Sequence, residues 1–420
     1  MSENSFFKSL LIRDFQFLWI ASTCSAFAMQ MRSIAQGWLI YDLTSSPLAL
    51  TWVMLSFIVP SAIFSLIGGV VADRVSKKNI MIYSQLINAI STFILAYMVF
   101  VGEVTFEHFI YFGILNGAVG CLSMPANFSI VPEIVRKENL INATALQTST
   151  FNLSSIVGPI LAGSLIALFS IGEKSSFYSV GLVFFVITSL LFIATFLTLF
   201  IKHHGKPENT SNTSSLEDFK EGFNFVWKEK TILGLLLMGL LPSAFGKASN
   251  FLLPAFNQDV ISGGPEELGI LSAGMGVGAL LGSLLLANLS NFKRKGKLML
   301  GTAYGWALAI LTFALTGSLT MAILFGAVAA FFGSIFGALN MSLIQLQAPQ
   351  YIRGRVISLL IVMSGVMPLA VVPIGGVAEY LGVSVALAFA AMMVGLSVWI
   401  LNALFPKLKG ISNISETNAG

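Results

Sequence analysis

The sequence predicts an all-α membrane protein in which twelve transmembrane helices form two pseudo-symmetric six-helix bundles. Its 420 residues are 56% hydrophobic and only 10% charged, with a mean hydropathy of +0.85. A soluble domain carries about 25% charged residues, so this composition excludes a soluble globular protein. Its apolar runs are continuous and near the roughly 20 residues that a membrane-spanning helix needs. A membrane barrel would instead show alternating strands of about ten residues.

Polar connections separate the apolar runs into twelve predicted spans. Their limits are 15–41, 47–71, 79–101, 107–131, 143–170, 177–201, 231–257, 266–289, 298–317, 319–346, 355–380 and 383–405. One long connection divides them six and six. We therefore predict bundles at 1–201 and 231–409, a cytoplasmic linker at 202–230 and a disordered tail at 410–420.

The linker contains a periodic stretch that indicates a helix. Leu216, Phe219, Phe223 and Val226 share one helical face, and charged residues occupy the others. This pattern predicts an amphipathic helix in the cytoplasmic interface, with Trp227 near the lipid headgroups. The simpler alternative is a tether that only lets two halves move.

The distribution of cations predicts the orientation of the chain. Of the 23 Lys and Arg residues, Lys174 is the only one in the loops of one side, while Arg32 and Lys247 lie inside spans. The remaining 20 lie in connections and termini of the other side. Since cytoplasmic loops carry an excess of Lys and Arg, both termini are expected in the cytoplasm. The predicted location is the plasma (inner) membrane.

The two halves of the chain resemble each other. Pro132 precedes Gly158 by the same 26 residues by which Pro349 precedes Gly375, and Asp42 corresponds to Asp259. Two six-helix halves related by an axis along the membrane normal are typical of transporters, with a small-molecule site near mid-depth. Chance similarity between apolar helices is the alternative, and the preserved spacing argues against it.

The turn between spans 2 and 3 carries the densest group of charges. It contains Gly69, Asp73, Arg74, Lys77 and Lys78. Asp73 is placed to cap a helix N-terminus, where a negative charge is stabilised. The cations are placed to bind an acid at the cytoplasmic end of another span, and Glu133 is the best candidate. Such a pair would hold the cytoplasmic side closed until it breaks.

These residues resemble the signature loop of the major facilitator superfamily, G-x-x-x-D-R-x-G-R/K-K, with Ser76 in place of its glycine. Span 5 is similar to the antiporter motif G-x-x-x-G-P-x-x-G-G and keeps Gly158, Pro159 and Gly163. The stretches 41–47 and 131–135 look like the enterobactin-exporter and macrolide-efflux branch. The resemblance covers nearly the whole chain.

The resemblance implies a secondary transporter that exports a small amphiphilic organic molecule, such as a drug, siderophore or metabolite, by alternating access and proton antiport. An importer or a lipid flippase on the same fold is the alternative. A membrane enzyme or a non-transporting receptor would need a clustered catalytic set or a large extramembrane domain, and the sequence has neither. It has no P-loop either, so we expect no enzymatic activity, no cofactor and no ATP as energy source. We expect a monomer whose partners are the substrate, the lipid bilayer and a proton, and no nucleic acid.

Two cations inside predicted spans are candidates for substrate binding. Arg32 and Lys247 lie about fifteen residues into spans 1 and 7, roughly 22 Å along the helix axis. Ionisable groups inside a membrane are costly and are functional candidates. The pair is predicted to attract an anionic or acceptor-rich substrate. Alternatively, each side chain extends toward the outer surface or pairs with Asp42 or Asp259.

Other polar residues of the spans are further candidates. Uncharged side chains that would either line a cavity or bridge helices are Gln30, Gln36, Asn116, Asn127, Gln147, Asn152, Asn340 and Gln345. Asp42 and Glu379 are the candidates for proton coupling, and helix capping or topology explains them equally well. His203 and His204 are either a weak metal site or solvated; without a ligand cluster we expect no metal site.

Overall fold

The computed structural model describes residues 8–72, 75–170, 176–203, 205, 215–289, 292, 294–349, 352–364 and 367–411. Every regular element among them is helical. Nine helices in the described ranges are long and apolar enough to cross a membrane. Each of the twelve predicted spans corresponds to one helix or to one interrupted helix, as the composition requires, since backbone groups in lipid must bond within the segment.

The first six spans correspond to six uninterrupted helices. These are α1 (Arg13–Thr44), α2 (Pro47–Ala72), α3 (Lys77–Phe100), α4 (Phe106–Ile134), α5 (Leu140–Phe169) and α6 (Ser176–Leu199). The turn between α1 and α2 is very short because Ser45 adopts the left-handed conformation (φ 48°) that ends α1.

Among the described residues of the linker and the second half there are ten further helical segments. They are α7 (Ser215–Lys228), α8 (Lys230–Gly246), α9 (Ala248–Phe251), α10 (Leu253–Asp259), α11 (Pro265–Asn288), α12 (Lys295–Ala314), α13 (Leu319–Gln347), α14 (Arg353–Ser364), α15 (Met367–Leu381) and α16 (Val383–Leu404). Span 7 is therefore interrupted, at Lys247 and again at Leu252, where the sequence predicts one continuous helix.

The chain divides into two compact units that differ from the predicted bundles at two segments. Unit 1 comprises residues 1–45, 52–210 and 263–273, and unit 2 comprises 46–51, 211–262 and 274–420. The first residues of α2 thus belong with the second unit, and the first residues of α11 belong with the first. The bounds predicted from hydropathy place each of these two segments in the other half of the chain.

Each unit has its own apolar core. In unit 1, α1 packs along α5 and α6, and α3 packs along α6 and α4. Phe15, Leu18 and Ile130 are fully buried where these helices meet. In unit 2, α12 packs against α13 and α16, around residues that include Leu235 and Phe336.

Helix α7 forms where the amphipathic pattern predicts a helix, and it is anchored on unit 2. Glu221 forms an ion pair with Arg355 of α14 at 2.6 Å, and Val226 is buried in the unit 2 core. Phe223, on the predicted apolar face, is exposed and stacks on the exposed Trp227 with ring centroids 5.9 Å apart. The location of α7 in the membrane interface stays a prediction.

The start of the predicted disordered tail is ordered. A 3₁₀ turn at Pro406–Gly410 buries Leu408, and Ile411 is also buried. The Gly296 N–H donates to the Ile411 carbonyl at 3.2 Å, so this segment packs on the start of α12. The rest of the predicted tail, 412–420, lies outside the described residues.

Candidate functional site

A group of charged and polar side chains lies at the end of unit 1 where α3 begins and α4 ends. Lys77, the first residue of α3, forms an ion pair with Oε1 of Glu133 in the last turn of α4. The other carboxylate oxygen of Glu133 lies 2.8 Å from Nε2 of His203, which follows α6. Asp14, at the start of α1, completes what we call the charged cluster: Asp14, Lys77, Glu133 and His203.

The residues after α6 are held by this cluster through backbone bonds. The backbone N–H groups of Lys202 and His203 donate to Oδ2 of Asp14 at 3.1 and 2.9 Å. The Gly205 carbonyl accepts from the N–H of Lys77 at 3.2 Å. Gly205 has φ +60°, and a Cβ there would lie 2.9 Å from the Lys77 Cβ, so both its conformation and its space favour glycine. The segment therefore ties the ends of α1, α3, α4 and α6 together.

Two further predictions concern the same turn. Ser76 caps α3 by accepting from the N–H of Asn79 at 3.4 Å, which is the role that the sequence suggested for Asp73. Lys78 Nζ donates to the Leu199 carbonyl at 3.0 Å, and a cation is favourable at the C-terminus of a helix such as α6. Gly69 lies in the last turns of α2, and Asp73 and Arg74 lie outside the described residues.

The electrostatics of Glu133 favour its charged form. Partial burial by itself would raise the pKa of the Glu133 carboxyl, but hydrogen bonds and charge from Lys77 and His203 outweigh it and hold the pKa below its usual value. A carboxyl with a depressed pKa stabilises the fold at neutral pH, and this contribution is lost as the pH falls through the folded-state pKa.

We expect Glu133→Gln to destabilise unit 1 by about 1 to 2 kcal/mol at neutral pH, because Lys77 is only 12% exposed and loses its counter-charge. The difference from the parent should shrink on acidification, since the parent carboxylate is then protonated. Thermal unfolding of the purified protein across a pH series measures this. Glu138→Gln, at an exposed carboxylate in the same connection, is the matched control. Equal effects of the two substitutions would contradict the assigned role of Glu133.

The antiporter-like motif lies where α5 meets two other segments of unit 1. A Cβ on Gly158 would lie 2.8 Å from the Cβ of Gln30 on α1. A Cβ on Gly163 would lie 2.3 Å from the Pro265 carbonyl oxygen and 3.2 Å from the Gly269 Cα, at the start of α11. Pro159, also buried, lies on the same face, and its carbonyl oxygen lies 2.6 Å from a Cβ built on Gly269. The motif glycines therefore permit backbone-to-backbone packing of α5.

The two cations inside the spans lie on different elements of different units. Arg32 lies on α1, partly exposed, and no hydrogen-bond or ion-pair partner for it occurs among the described residues. Lys247 is exposed and occupies the break between α8 and α9. Neither side chain forms an ion pair with Asp42 or Asp259 in the described part of the chain.

Several uncharged candidates bridge helices within a unit. Ser91 Oγ donates to Asn116 Oδ1 at 3.4 Å, and Asn127 Nδ2 donates to Ser22 Oγ at 3.2 Å. Asn340 Nδ2 donates to the Leu235 carbonyl at 2.9 Å. Asn116, Asn127 and Asn340 therefore bridge helices. The other candidates are partly exposed or, for Gln345, exposed: Gln30, Gln36, Gln147, Asn152 and Gln345.

The proton-coupling candidates have different surroundings. Asp42 is exposed near the end of α1. Oε2 of Glu379 on α15 accepts from Ser46 Oγ at 2.7 Å and from the Leu48 N–H at 3.2 Å. Glu379 therefore caps a helix, which is one of the two roles considered for it, and that helix is α2, far from it in the sequence.

Sequence reasoning missed three parts of this arrangement. Asp14 and His203 belong to the charged cluster, and Ser76 is the α3 cap. Only Ser76 had a local signal, because serine before an apolar helical run is a capping pattern. His203 and Asp14 meet because α1 and α6 pack side by side, which no local pattern encodes.

Comparisons with known proteins agree with this architecture. The family model described as "transmembrane secretion effector" matches residues 4–418. The enterobactin exporters EntS of Shigella boydii serotype 18 and of Escherichia coli O1:K1 / APEC are 26% and 25% identical over 291 residues, which is 69% of this chain and 67% of theirs.

Solved transporter structures share the fold. A mutant of the nucleoside transporter NupG superposes with a TM-score of 0.77 at 15% identity, covering 93% of this chain and 100% of that one. A bacterial homolog of the human lysosomal transporter Spinster, inward-facing and unoccupied, gives a TM-score of 0.72 at 15% identity, covering 94% and 98%. The chain is a multi-pass membrane transporter that belongs to the transmembrane secretion effector family of the major facilitator superfamily, in the branch that resembles the enterobactin exporters.

Proposed function

We propose that the protein exports a small amphiphilic organic molecule from the cytoplasm by alternating access, driven by the inward flow of protons. The observation that carries the proposal is the similarity to enterobactin exporters over two-thirds of both chains. Relatives that act as exporters favour export over import or lipid flipping on the same fold.

The two cations inside the spans, Arg32 and Lys247, support an anionic or acceptor-rich substrate. Arg32 and Lys247 give each unit one cation without an ion-pair partner among the described residues. An ionisable group in a membrane span is costly, so an unpaired cation there is best explained by a ligand that pairs with it.

The orientation that we propose places both termini in the cytoplasm of a cell with this protein in its inner membrane. The charge census supports it, and the charged cluster then lies on the cytoplasmic side. In this orientation we propose that the ion pair of Lys77 with Glu133, which joins α3 to α4 within unit 1, holds the cytoplasmic side closed until it breaks. Side-specific labelling of a cysteine at Lys409 tests the orientation, and labelling from the outside would exclude it.

Flux in proteoliposomes under an imposed pH gradient tests the export proposal. We expect a siderophore or a similar amphiphile to move against its concentration gradient only while the proton gradient is present. A protonophore should abolish the movement, since the energy source is the proton. Liposomes that contain the Arg32→Ala, Lys247→Ala protein serve as the matched control.

The outcome separates the competing functions. Uptake that follows the proton, in the same direction, would identify an importer. Transfer of a labelled lipid between leaflets would identify a flippase. If no compound of the panel moves against its gradient under this drive, proton antiport is excluded.

A further inference from the structure

The first turn of α2 is capped in an unusual way. Ser46 precedes Pro47, and its Oγ accepts from the Ala49 N–H at 3.2 Å. The Leu48 N–H donates to Oε2 of Glu379 at 3.2 Å, and Ser46 Oγ donates to the same oxygen at 2.7 Å. A helix start leaves its first N–H groups without intrahelical partners, and Pro47 has none to offer. Glu379 of α15 thus completes the cap of a different helix.

The equivalent helix of the second half is capped by an acid of its own first turn. Helix α11 begins at Gly264-Pro265-Glu266-Glu267, and the Gly264 N–H donates to Glu267 Oε2 at 2.8 Å. An acid three residues after the cap is the capping-box arrangement. In α2 that position is Ala49, and the first turn of α2 contains no acid. The acid comes instead from more than 330 positions away in the sequence.

Helix α15 also lies directly against the same turn. A Cβ on Gly375, one turn before Glu379, would lie 2.4 Å from Thr51 Oγ1. Thr51 is only 1% exposed as a result. The residues 46–51 accordingly belong to unit 2, while the rest of α2 belongs to unit 1.

We propose that Glu379 is a positioning residue that holds the start of α2 on α15, and that loss of its negative charge releases this contact. A charged acceptor forms stronger hydrogen bonds than a neutral one, and a helix N-terminus favours negative charge. A cap supplied by another helix is broken when the helices separate, whereas the Glu267 cap travels with α11. The inference rests on the proposed alternating access for its role, because release of α2 would accompany opening at this end.

No neighbouring charge substitutes for Glu379 in the described part of the chain. The α2 residues 47–51 are not ionisable. The ionisable residue nearest to Glu379 in the sequence is Tyr380 on α15, and the one nearest to Ser46 is Asp42 near the end of α1. Neither is a cation. Within the described ranges Glu379 has no ion pair, so its hydrogen bonds to Ser46 and Leu48 carry this contact.

Labelling of a buried reporter tests the inference. In a chain with Cys24→Ser and Cys121→Ser, a Thr51→Cys reporter is covered by α15 and should react slowly with a membrane-impermeant maleimide. Glu379→Gln is expected to raise the labelling rate about tenfold, as loss of one charge-assisted interaction implies. Glu379→Asp keeps the charge and should restore slow labelling in part.

Glu267→Gln is the matched control, because it removes an equivalent acid that caps its own helix. Parent-like labelling of the Glu379→Gln variant, or an equal rise in the Glu267→Gln variant, would overturn the inference. If Glu379→Gln prevents folding, Ser46→Ala decides, because it removes the Ser46 donor to Glu379, and parent-like labelling in that variant overturns the inference. The labelling rate reports on α2 itself. The inference therefore stands even where no compound is exported, and a failed flux assay does not contradict it.

Discussion

Removing both cations from the spans is expected to reduce export of an anionic substrate about a hundredfold. Arg32 and Lys247 have no ion-pair partner among the described residues, and a hydrogen bond to a charged group contributes about 1.5 to 3 kcal/mol. Each single Ala substitution should therefore cost about tenfold, and the pair about a hundredfold if the two act independently. Initial rates in proteoliposomes under a pH gradient measure the effect.

The control for this experiment removes two cations elsewhere. Lys407 and Lys409 are exposed in the 3₁₀ turn after α16, and their double Ala variant should export at the parent rate. A neutral substrate should also be exported by the Arg32→Ala, Lys247→Ala protein, because its recognition does not need the charges. Survival of anionic export in that protein would assign both cations a structural role.

Adding one methyl group at Gly163 is expected to lower the stability of the protein by about 1 to 3 kcal/mol or more. The new Cβ would lie 2.3 Å from the Pro265 carbonyl oxygen, and the obstructing atoms are backbone, which cannot rotate away. Helix α5 and the first turn of α11 must then separate. Thermal unfolding of purified Gly163→Ala protein measures the loss.

Gly301→Ala is the matched control, because a Cβ on Gly301 of α12 has no atom within 4 Å. Alanine is the better helix former by about 1 kcal/mol, so this variant should be as stable as the parent or more stable. If Gly163→Ala is equally well tolerated, the close approach of α5 to residues 265–269 is absent in the folded protein.

The interruption of span 7 shows that hydropathy predicts a longer continuous helix than the chain forms. Residues 231–257 are apolar almost throughout, so the sequence predicts one helix. In the structure the helix assignment is interrupted at Lys247, next to Gly246, where a Cβ would lie 2.3 Å from the Trp306 ring of α12.

The polar residues of the spans show a second limit. Asn116 and Asn340 are as polar as Gln36 and Gln147, and their sequence surroundings are as apolar. Their bridging role follows from the helix face on which each lies and from the neighbour that covers it. A sequence periodicity locates a face, but it does not identify the helix opposite.

The sequence by itself determined the class of the protein, its helical spans and its family. It could do so because a bilayer admits only segments that satisfy their own backbone, so length and hydropathy determine the helices. Only the tertiary structure decided that His203 joins Lys77 on Glu133, and that Glu379 caps α2 where Ala49 supplies no acid. Both contacts join residues that are distant in sequence, and such contacts arise when helices pack, from shapes and distances that a linear pattern does not contain.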